Sequence, residues 1–458
     1  MVRPTDVLTT FISTTPFDAL PSDGIELAKL AILDTVGVLF GGVQTKEGAL
    51  ITEWARRQNA GGAVPVFGAG LRSSSAIAAM ANSVLAAALD YDDGNHPAYG
   101  HPSCILVPTL LAVGETPGIS GRDLLLAYMI GFEFEARLGA TMNPSHFRRG
   151  FHATSTLGTL AGAAAASRAL RLSRGETAHA LGIAASFAGG IKQNLGTMMK
   201  PFHAGHASHS AVVSAEFAGL GLQSDAEALE GRAGFLNVFR GAEEPNMRAL
   251  TDGLADSWYI TTAPSGWYPK PFASCGGTHT TIQGLLQMKE QHGFKADEIG
   301  DIGVAIARRT AETLMRHNPQ SGREARYSLE FCAAHTLLFG APNVADFGGD
   351  EKVQDRRVRS LMARVAVSSP PEVADDPEPG VILTVTLADG TKLTHAEPTA
   401  RGKVGNRMPR HEMFTKFDEC SQHALPGPVR RRVIDMIDNL EALRDIRRLT
   451  SQLATPSR

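Results

Sequence analysis

Eight of the fifteen histidines fall between His96 and His209, which marks this stretch for proton chemistry near neutral pH. Three short segments there mix titratable side chains with glycine and proline. The first, DYDDGNHPAYGHPS at 90–103, follows a helical pattern and gathers three carboxylates and two histidines into one turn. A solvated acidic loop would share that composition. A catalytic loop would present His101 to a cleft, with Asp90 or Asp93 orienting the ring. Metal binding is disfavoured, because aspartates suit Mg²⁺ and the histidines do not. The second segment, GFHATSTLG at 150–158, puts His152 where a helix should begin, followed by Thr154, Ser155 and Thr156. Hydroxyls beside the free N–H groups of a helix start form an anion site, although a plain N-cap run reads the same way. The third, GGIKQNLGTMMKPFHAGHASH at 189–209, holds Lys200 beside Met198, Met199, Pro201 and Phe202, between two expected helices. A lysine in such company is expected to be partly buried. It then needs an anionic partner or a shifted pKa, and a substrate carboxylate would serve.

A fourth segment, KPFASCGGTHT at 270–280, places Cys275 before two glycines and an expected helix start. A thiol there should have a lowered pKa and act as nucleophile or base, although a free cysteine is more often a small core residue. Several familiar signatures are absent: G-x-x-x-x-G-K-[ST], H-E-x-x-H and G-x-S-x-G.

The elements that must position these residues are mostly helical. Apolar spacing predicts helices at 23–39, 74–89, 122–138, 155–170, 174–187 and 206–220. The fourth is so rich in Ala and Gly that it should sit at the centre of a bundle. Around 264–271 (PSGWYPKP) the texture changes, marking a boundary. Strands are expected at 299–307 and 364–368, and a hairpin at 381–394 around Asp389-Gly390. Helical patterns at 278–291, 325–338 and 355–362 interleave with them. Residues 370–379 (PPEVADDPEP) read as a solvated loop, and 426–449 returns to pure helix. The expected fold is mainly α: a discontinuous all-helical domain, 1–264 with 407–458, and a smaller α+β lid domain, 265–406.

Composition narrows the function class. The chain is 43% apolar and 20% charged, with net charge −3, an ordinary globular balance without the basic stripe of a nucleic-acid binder. Cys104, Cys275, Cys332 and Cys420 are far apart, which fits a reducing compartment and gives no zinc or cluster pattern. Residues 1–20 lack a basic n-region with an apolar h-region, and no apolar run is long enough for a membrane span. A cytoplasmic protein is the expectation.

Taken in order, these segments resemble the MmgE/PrpD family, which includes 2-methylcitrate dehydratase, cis-aconitate decarboxylase and iminodisuccinate epimerase. The likeness runs from LAKLAILDTVGVLFGG at 27–42 through LDYDDGNHPAYGHPS, FHATSTLGTL, GTMMKPFHAGHAS and KPFASCGGTHT to NPQSGREARYSLEFC and the LADG hairpin. The resemblance implies a large helical domain with an α+β lid, a homodimer, and a site between the domains that uses no metal or organic cofactor. It also implies that Asp90, His101, His152 and Lys200 belong to that site. Ser274-Cys275, with His279 four residues on, stands where decarboxylase members carry a histidine-bearing lid motif, and Phe331 where they carry a tyrosine. Both departures count against cis-aconitate decarboxylation, and the cysteine is similar to the epimerase branch.

Family substrates are di- and tricarboxylates, and the shared chemistry makes or traps a carbanion next to a carboxylate. Lys200 and one histidine are expected to hold that carboxylate while His101 or His152 moves the proton. Asp93, Thr154, Arg149, His279 and Arg326 are expected to bind substrate, with Arg148 a further candidate. The leading expectation is a dehydratase-type lyase. The alternatives are an epimerase using Cys275 as one of two bases, and a non-catalytic carboxylate-binding protein.

Overall fold

The computed structural model describes residues 3–58, 61–262, 266–374 and 380–454. Helices Ser22–Gly42, Ser75–Ala87, Ser103–Glu115, Gly121–Met142, Ala153–Ala169 and Met199–Gly219 pack around one apolar core. The Ala153–Ala169 helix runs through its middle with nearly every residue buried. Small side chains permit this approach: a Cβ on Gly162 would lie 2.7 Å from Ala211 Cβ, and one on Gly158 2.3 Å from Ile105 Cδ1. Helices Arg410–Ser421 and Gly427–Asp438 return to the same core, contributing Met413, Phe417, Val433 and Ile437.

A second core gathers Ile282, Leu285, Ile302, Val304, Phe331, Leu383 and Val385. Its four-stranded sheet places Val365–Ser368 parallel to Ile299–Ile306, which pairs antiparallel with Val381–Leu387, which in turn pairs with Lys392–Glu397. The last pair is the hairpin expected from Asp389-Gly390. Gly390 takes φ +89°, and Asp389 Oδ1 accepts from Thr391 N at 2.9 Å. Helices His279–His292 and Leu329–Phe339 pack on this sheet. The mainly helical fold with a small sheet agrees with the sequence reading.

Two local expectations fail. The helix expected at 206–220 begins at Met199, so Lys200 sits in its first turn rather than between helices. Pro201 is no obstacle there, because first-turn residues have no intrahelical acceptor for their N–H. The helix expected across 426–449 is broken. After Asp438 come a 3₁₀ turn at Leu440–Ala442 and a helix at Arg447–Leu453. Between those two, backbone groups leave the helical pattern to cap another helix: Gly121 N donates to Leu443 O and Ile446 N to Ile119 O. The expected boundary at 264/265 lies outside the described residues, as do 375–379 of the expected acidic loop, whose 371–374 portion is a short helix. No helix among the described residues is long and apolar enough to cross a membrane.

Several bonds tie residues 88–95, after the Ser75–Ala87 helix, to residues 267–326. Gly94–Asn95 pairs antiparallel with Trp267–Tyr268. Tyr91 Oη donates to Pro271 O, and Arg326 Nη1 to Ala88 O. A cavity of about 150 Å³ opens beside this seam.

Candidate active site

The helix Ser75–Ala87 ends just before Asp90, which takes φ +54° in the left-handed region. That conformation is costly for a non-glycine residue and needs external support. Lys270 supplies it. Its Nζ donates to the Asp90 carbonyl at 2.8 Å and to Oδ1 at 3.1 Å. Lys200 Nζ meets the same Oδ1 at 2.7 Å. Asp92 Oδ1 lies 3.8 Å and 4.0 Å from the two ammoniums. All four groups are at most 5% exposed as side chains. The two lysines hold both carboxyls ionised against the cost of burial, and the carboxylates hold Lys200 well above its usual pKa. The anionic partner expected for Lys200 is therefore already present in the chain.

His101 lines the cavity. Its Nδ1 lies 2.5 Å from the Asp93 carbonyl, which can only accept. Nδ1 therefore carries the proton, and Nε2 is left with its lone pair. Burial lowers the pKa to about 4, against the opposing pull of Asp92 at 3.8 Å. The imidazole is thus neutral at pH 7, a base with a defined tautomer. The orienting groups are the Asp93 carbonyl and the Asp92 carboxylate, not the side chains of Asp90 or Asp93.

His152, at the N-cap of the Ala153–Ala169 helix, also lines the cavity, with its Nδ1 2.9 Å from His203 Nδ1. One ring must donate and the other accept. Burial, and then the neighbouring His203, push His152 well below its usual pKa, and burial takes His203 to about 4. Lys200 and Cys275 complete the expected convergence on one cavity with Asp90, His101 and His152.

Cys275 is half-buried on the wall, but burial and then the Asp90 charge raise its thiol to about 11. The expected lowering fails because burial and the Asp90 charge outweigh the pull of Lys270, the Gly277 backbone N–H and Lys200.

The five residues expected to bind substrate lie off the cavity wall. Asp93 turns its carboxyl to Ser103, with Oδ1 accepting from Ser103 N at 3.2 Å and Oδ2 from Ser103 Oγ. Thr154 is buried, with its hydroxyl inside the helix packing. Arg149 is exposed. His279 Nε2 lies 3.1 Å from Ser274 O, and its ring sits edge-on to Phe272, so it shapes the Cys275 turn from behind. Arg326 braces Ala88 behind Asp90. Arg148 is exposed, 3.9 Å from Glu312.

Asp93 has a consequence for stability. Burial raises its carboxyl to about 7. Between about pH 4, where the unfolded carboxyl titrates, and pH 7, the folded state holds a proton that the unfolded state does not. Stability contributed by this group therefore falls as pH rises through that window and then levels off. Asp93→Asn should remove this falling contribution, so that stability measured by urea unfolding gains, relative to wild type, up to about 4 kcal/mol between pH 4 and pH 7. An unchanged slope would contradict this.

Models of the MmgE/PrpD N-terminal and C-terminal domains match residues 6–248 and 272–442. The chain belongs to the MmgE/PrpD family. It is 30% identical to cis-aconitate decarboxylase of Mus musculus over 95% of this chain and 90% of that protein. It is also 30% identical to cis-aconitate decarboxylase of Homo sapiens, over 94% and 91%. Cis-aconitate decarboxylase of Aspergillus terreus is 26% identical over 96% and 93%.

In this MmgE/PrpD chain Phe331 does not reach the cavity. Phe331 is fully buried against His335 and Phe347 in the second core. A different tyrosine, Tyr327, four residues earlier in the turn before the Leu329–Phe339 helix, lines the cavity. Burial, and then the Asp90 charge, hold its phenol protonated. Sequence reasoning passed over Tyr327, Lys270, Arg309 and His203. Lys270-Pro271 repeats the Lys200-Pro201 pattern in a segment with no other charge, a signal that was available. Arg308-Arg309 has the look of a solvated pair. Yet Arg309 reaches the cavity wall, donating to Tyr99 Oη at 2.8 Å and lying 2.7 Å from His96 Nε2.

Proposed function

We propose that the chain is a lyase of small tricarboxylates, working at a carbon next to a carboxylate, with cis-aconitate as the first substrate to test. The observation that carries the reading is the juxtaposition, around one cavity, of a neutral imidazole with a free Nε2 and the buried Lys200 ammonium. The three relatives' names support the substrate class.

In decarboxylation the bond from carbon to the departing carboxylate breaks, CO₂ leaves, and its electron pair spreads into the remaining conjugated carboxylate. Lys200, held on Asp90 Oδ1 together with Lys270, stabilises that growing charge. Tyr327 or Cys275, both held protonated, quenches the carbanion with one proton. In dehydration, His101 Nε2 takes a proton from carbon, and the hydroxyl leaves as water with a proton from an acid on the wall. Arg309 takes a remote carboxylate, releasing Tyr99 and His96.

The test is proton NMR in D₂O with cis-aconitate and with hydroxy-tricarboxylates. Decarboxylation yields an unsaturated diacid with one deuteron at the protonated carbon. Dehydration yields a new vinyl signal from the hydroxy acid alone. Turnover of none of these acids would refute the reading. Epimerisation stays as a second reading, because Cys275 lines the cavity. It would show as exchange of one substrate proton without change of composition. A thiol at about 11 can give a proton but takes one poorly, so reversible exchange is disfavoured.

Arg309→Leu should raise KM about 30–100-fold and leave kcat within about threefold, since a remote carboxylate is bound equally in ground and transition states. A fall in kcat with KM unmoved would reassign Arg309 to the chemical step.

A further inference from the structure

His152 lines the cavity, yet the proton transfers at His101, Tyr327 and Cys275 leave it without a task. Its Nδ1 faces His203 Nδ1 at 2.9 Å, with ring centroids 5.0 Å apart. The two residues are only 3% and 4% exposed. The main chain fixes both: His152 N donates to Gly190 O at 3.1 Å, and Ser155 Oγ donates to His203 O at 3.1 Å. His203 stands one turn beyond Lys200 on the Met199–Gly219 helix. One helix face therefore brings the ammonium to the cavity and this imidazole to the ring behind its wall. Both rings are neutral at pH 7, since burial holds His152 well below its usual pKa and His203 at about 4.

Two neutral rings that meet at Nδ1 share one proton, and its place decides what His152 shows the cavity. With the proton on His152 Nδ1, Nε2 is bare and the cavity holds a second base. With the proton on His203 Nδ1, His152 carries its own on Nε2 and is a donor. We infer that His203 is a positioning residue that donates from Nδ1 to His152 Nδ1, and so fixes His152 Nε2–H as a donor to the substrate carboxylate held by Lys200. Two observations favour this sense. His152 is the N-cap of the Ala153–Ala169 helix, and Nδ1 is the ring nitrogen nearer the main chain. The positive end of the helix disfavours a proton there and favours one on the remote Nε2. His203, the fifth residue of its helix, lies past the free first-turn N–H groups and lacks that bias. The second observation is the company on the wall. A carboxylate only accepts, and His101 already supplies a bare Nε2, so a second lone pair would repel the ligand. This second argument rests on the proposed carboxylate substrate, and the first does not. The cavity then holds two neutral imidazoles of opposite sense. A carbonyl behind His101 makes it a base, and an N–H behind His152 makes it a donor.

The test is ¹⁵N NMR of the substrate-free full chain near pH 7, labelled at its fifteen histidines. Protonated and bare ring nitrogens give well separated signals, and His152→Gln and His203→Asn identify the pair by loss. His152 should be protonated on Nε2 and His203 on Nδ1. A proton on His152 Nδ1 would overturn the assignment. Kinetics then test the positioning. His203→Leu removes the donor and should lower kcat on cis-aconitate about tenfold, the worth of one neutral hydrogen bond, with KM moving less than threefold. His203→Asn offers an amide N–H near the place of Nδ1 and should return kcat to within about threefold of wild type. Equal losses in the two variants, or an unchanged kcat in His203→Leu, would overturn the role of the N–H. Urea unfolding of both variants separates a folding loss from loss of the donor. The tautomer is read without turnover, so its failure leaves the proposed reaction standing. A wild type inert toward every acid tested would sink that reaction while the NMR still decides the tautomer.

Discussion

Lys200→Met is expected to cut kcat/KM by about 10³-fold or more, the scale on which removing a preorganised charge from a developing anion acts. The ammonium is buried and fixed at 2.7 Å from Asp90 Oδ1, so it pays no reorganisation when charge grows on a substrate carboxylate. Breaking a buried pair usually costs about 3–5 kcal/mol, because the surviving charge is stranded. Here Lys270 stays on the same oxygen at 3.1 Å, so the stability loss should be smaller, about 1–3 kcal/mol. Kinetics and urea unfolding on the same preparation separate the two effects. A Lys200→Met enzyme with near-normal kcat/KM would remove the ammonium from the mechanism.

His101→Gln carries the second large effect. In dehydration of a hydroxy-tricarboxylate, where His101 takes the carbon-bound proton, removing a positioned general base should cost about 10²–10⁴-fold in kcat/KM. The pH profile makes the assignment specific. A base with a pKa of about 4 is active when deprotonated, so wild-type kcat/KM should rise with pH through about 4 and stay flat to pH 8. The residual activity of His101→Gln should lack that rise. Should the variant keep the same acid limb, the titrating base is another group, with His203, also at about 4, the next to examine.

Much of the fold was legible because helical and strand periodicities are local. The Arg174–Phe187 helix begins and ends where its spacing predicts, with Ser173 closing a capping box at its start. The Asp389-Gly390 hairpin carries its turn chemistry in two adjacent letters. The break after Asp438 was not legible, because it is imposed by Leu443 and Ile446 bonding a segment more than 300 residues away in the chain. The same division governs the site. Asp90, His101, His152, Lys200 and Cys275 lie in segments whose glycines, prolines and histidines announce them. Arg309 and Tyr327 sit in ordinary-looking helical starts and reach the cavity only through the tertiary packing of residues 267–326 against residues 88–101. The error over Cys275 was of another kind. Its position in the chain was read correctly, but the sign of its shift depends on burial, which spacing does not encode.

The seam beside the cavity has a kinetic consequence. Lys270 gripping Asp90, Tyr91 bound to Pro271, Arg326 on Ala88 and the Asn95–Trp267 pairing tie residues 88–95 to residues 267–326 within a few residues of the reacting groups. Swinging the lid away as a rigid jaw would rupture all of these ties in each catalytic cycle and would dismantle the Asp90 cluster with them. Admission and discharge therefore fall to lighter parts at the mouth, such as the Arg309–His96–Tyr99 latch, whose bonds an arriving carboxylate can replace one for one. Discrimination then rests on a mould of fixed shape, which turns away bulkier acids by size before any proton moves.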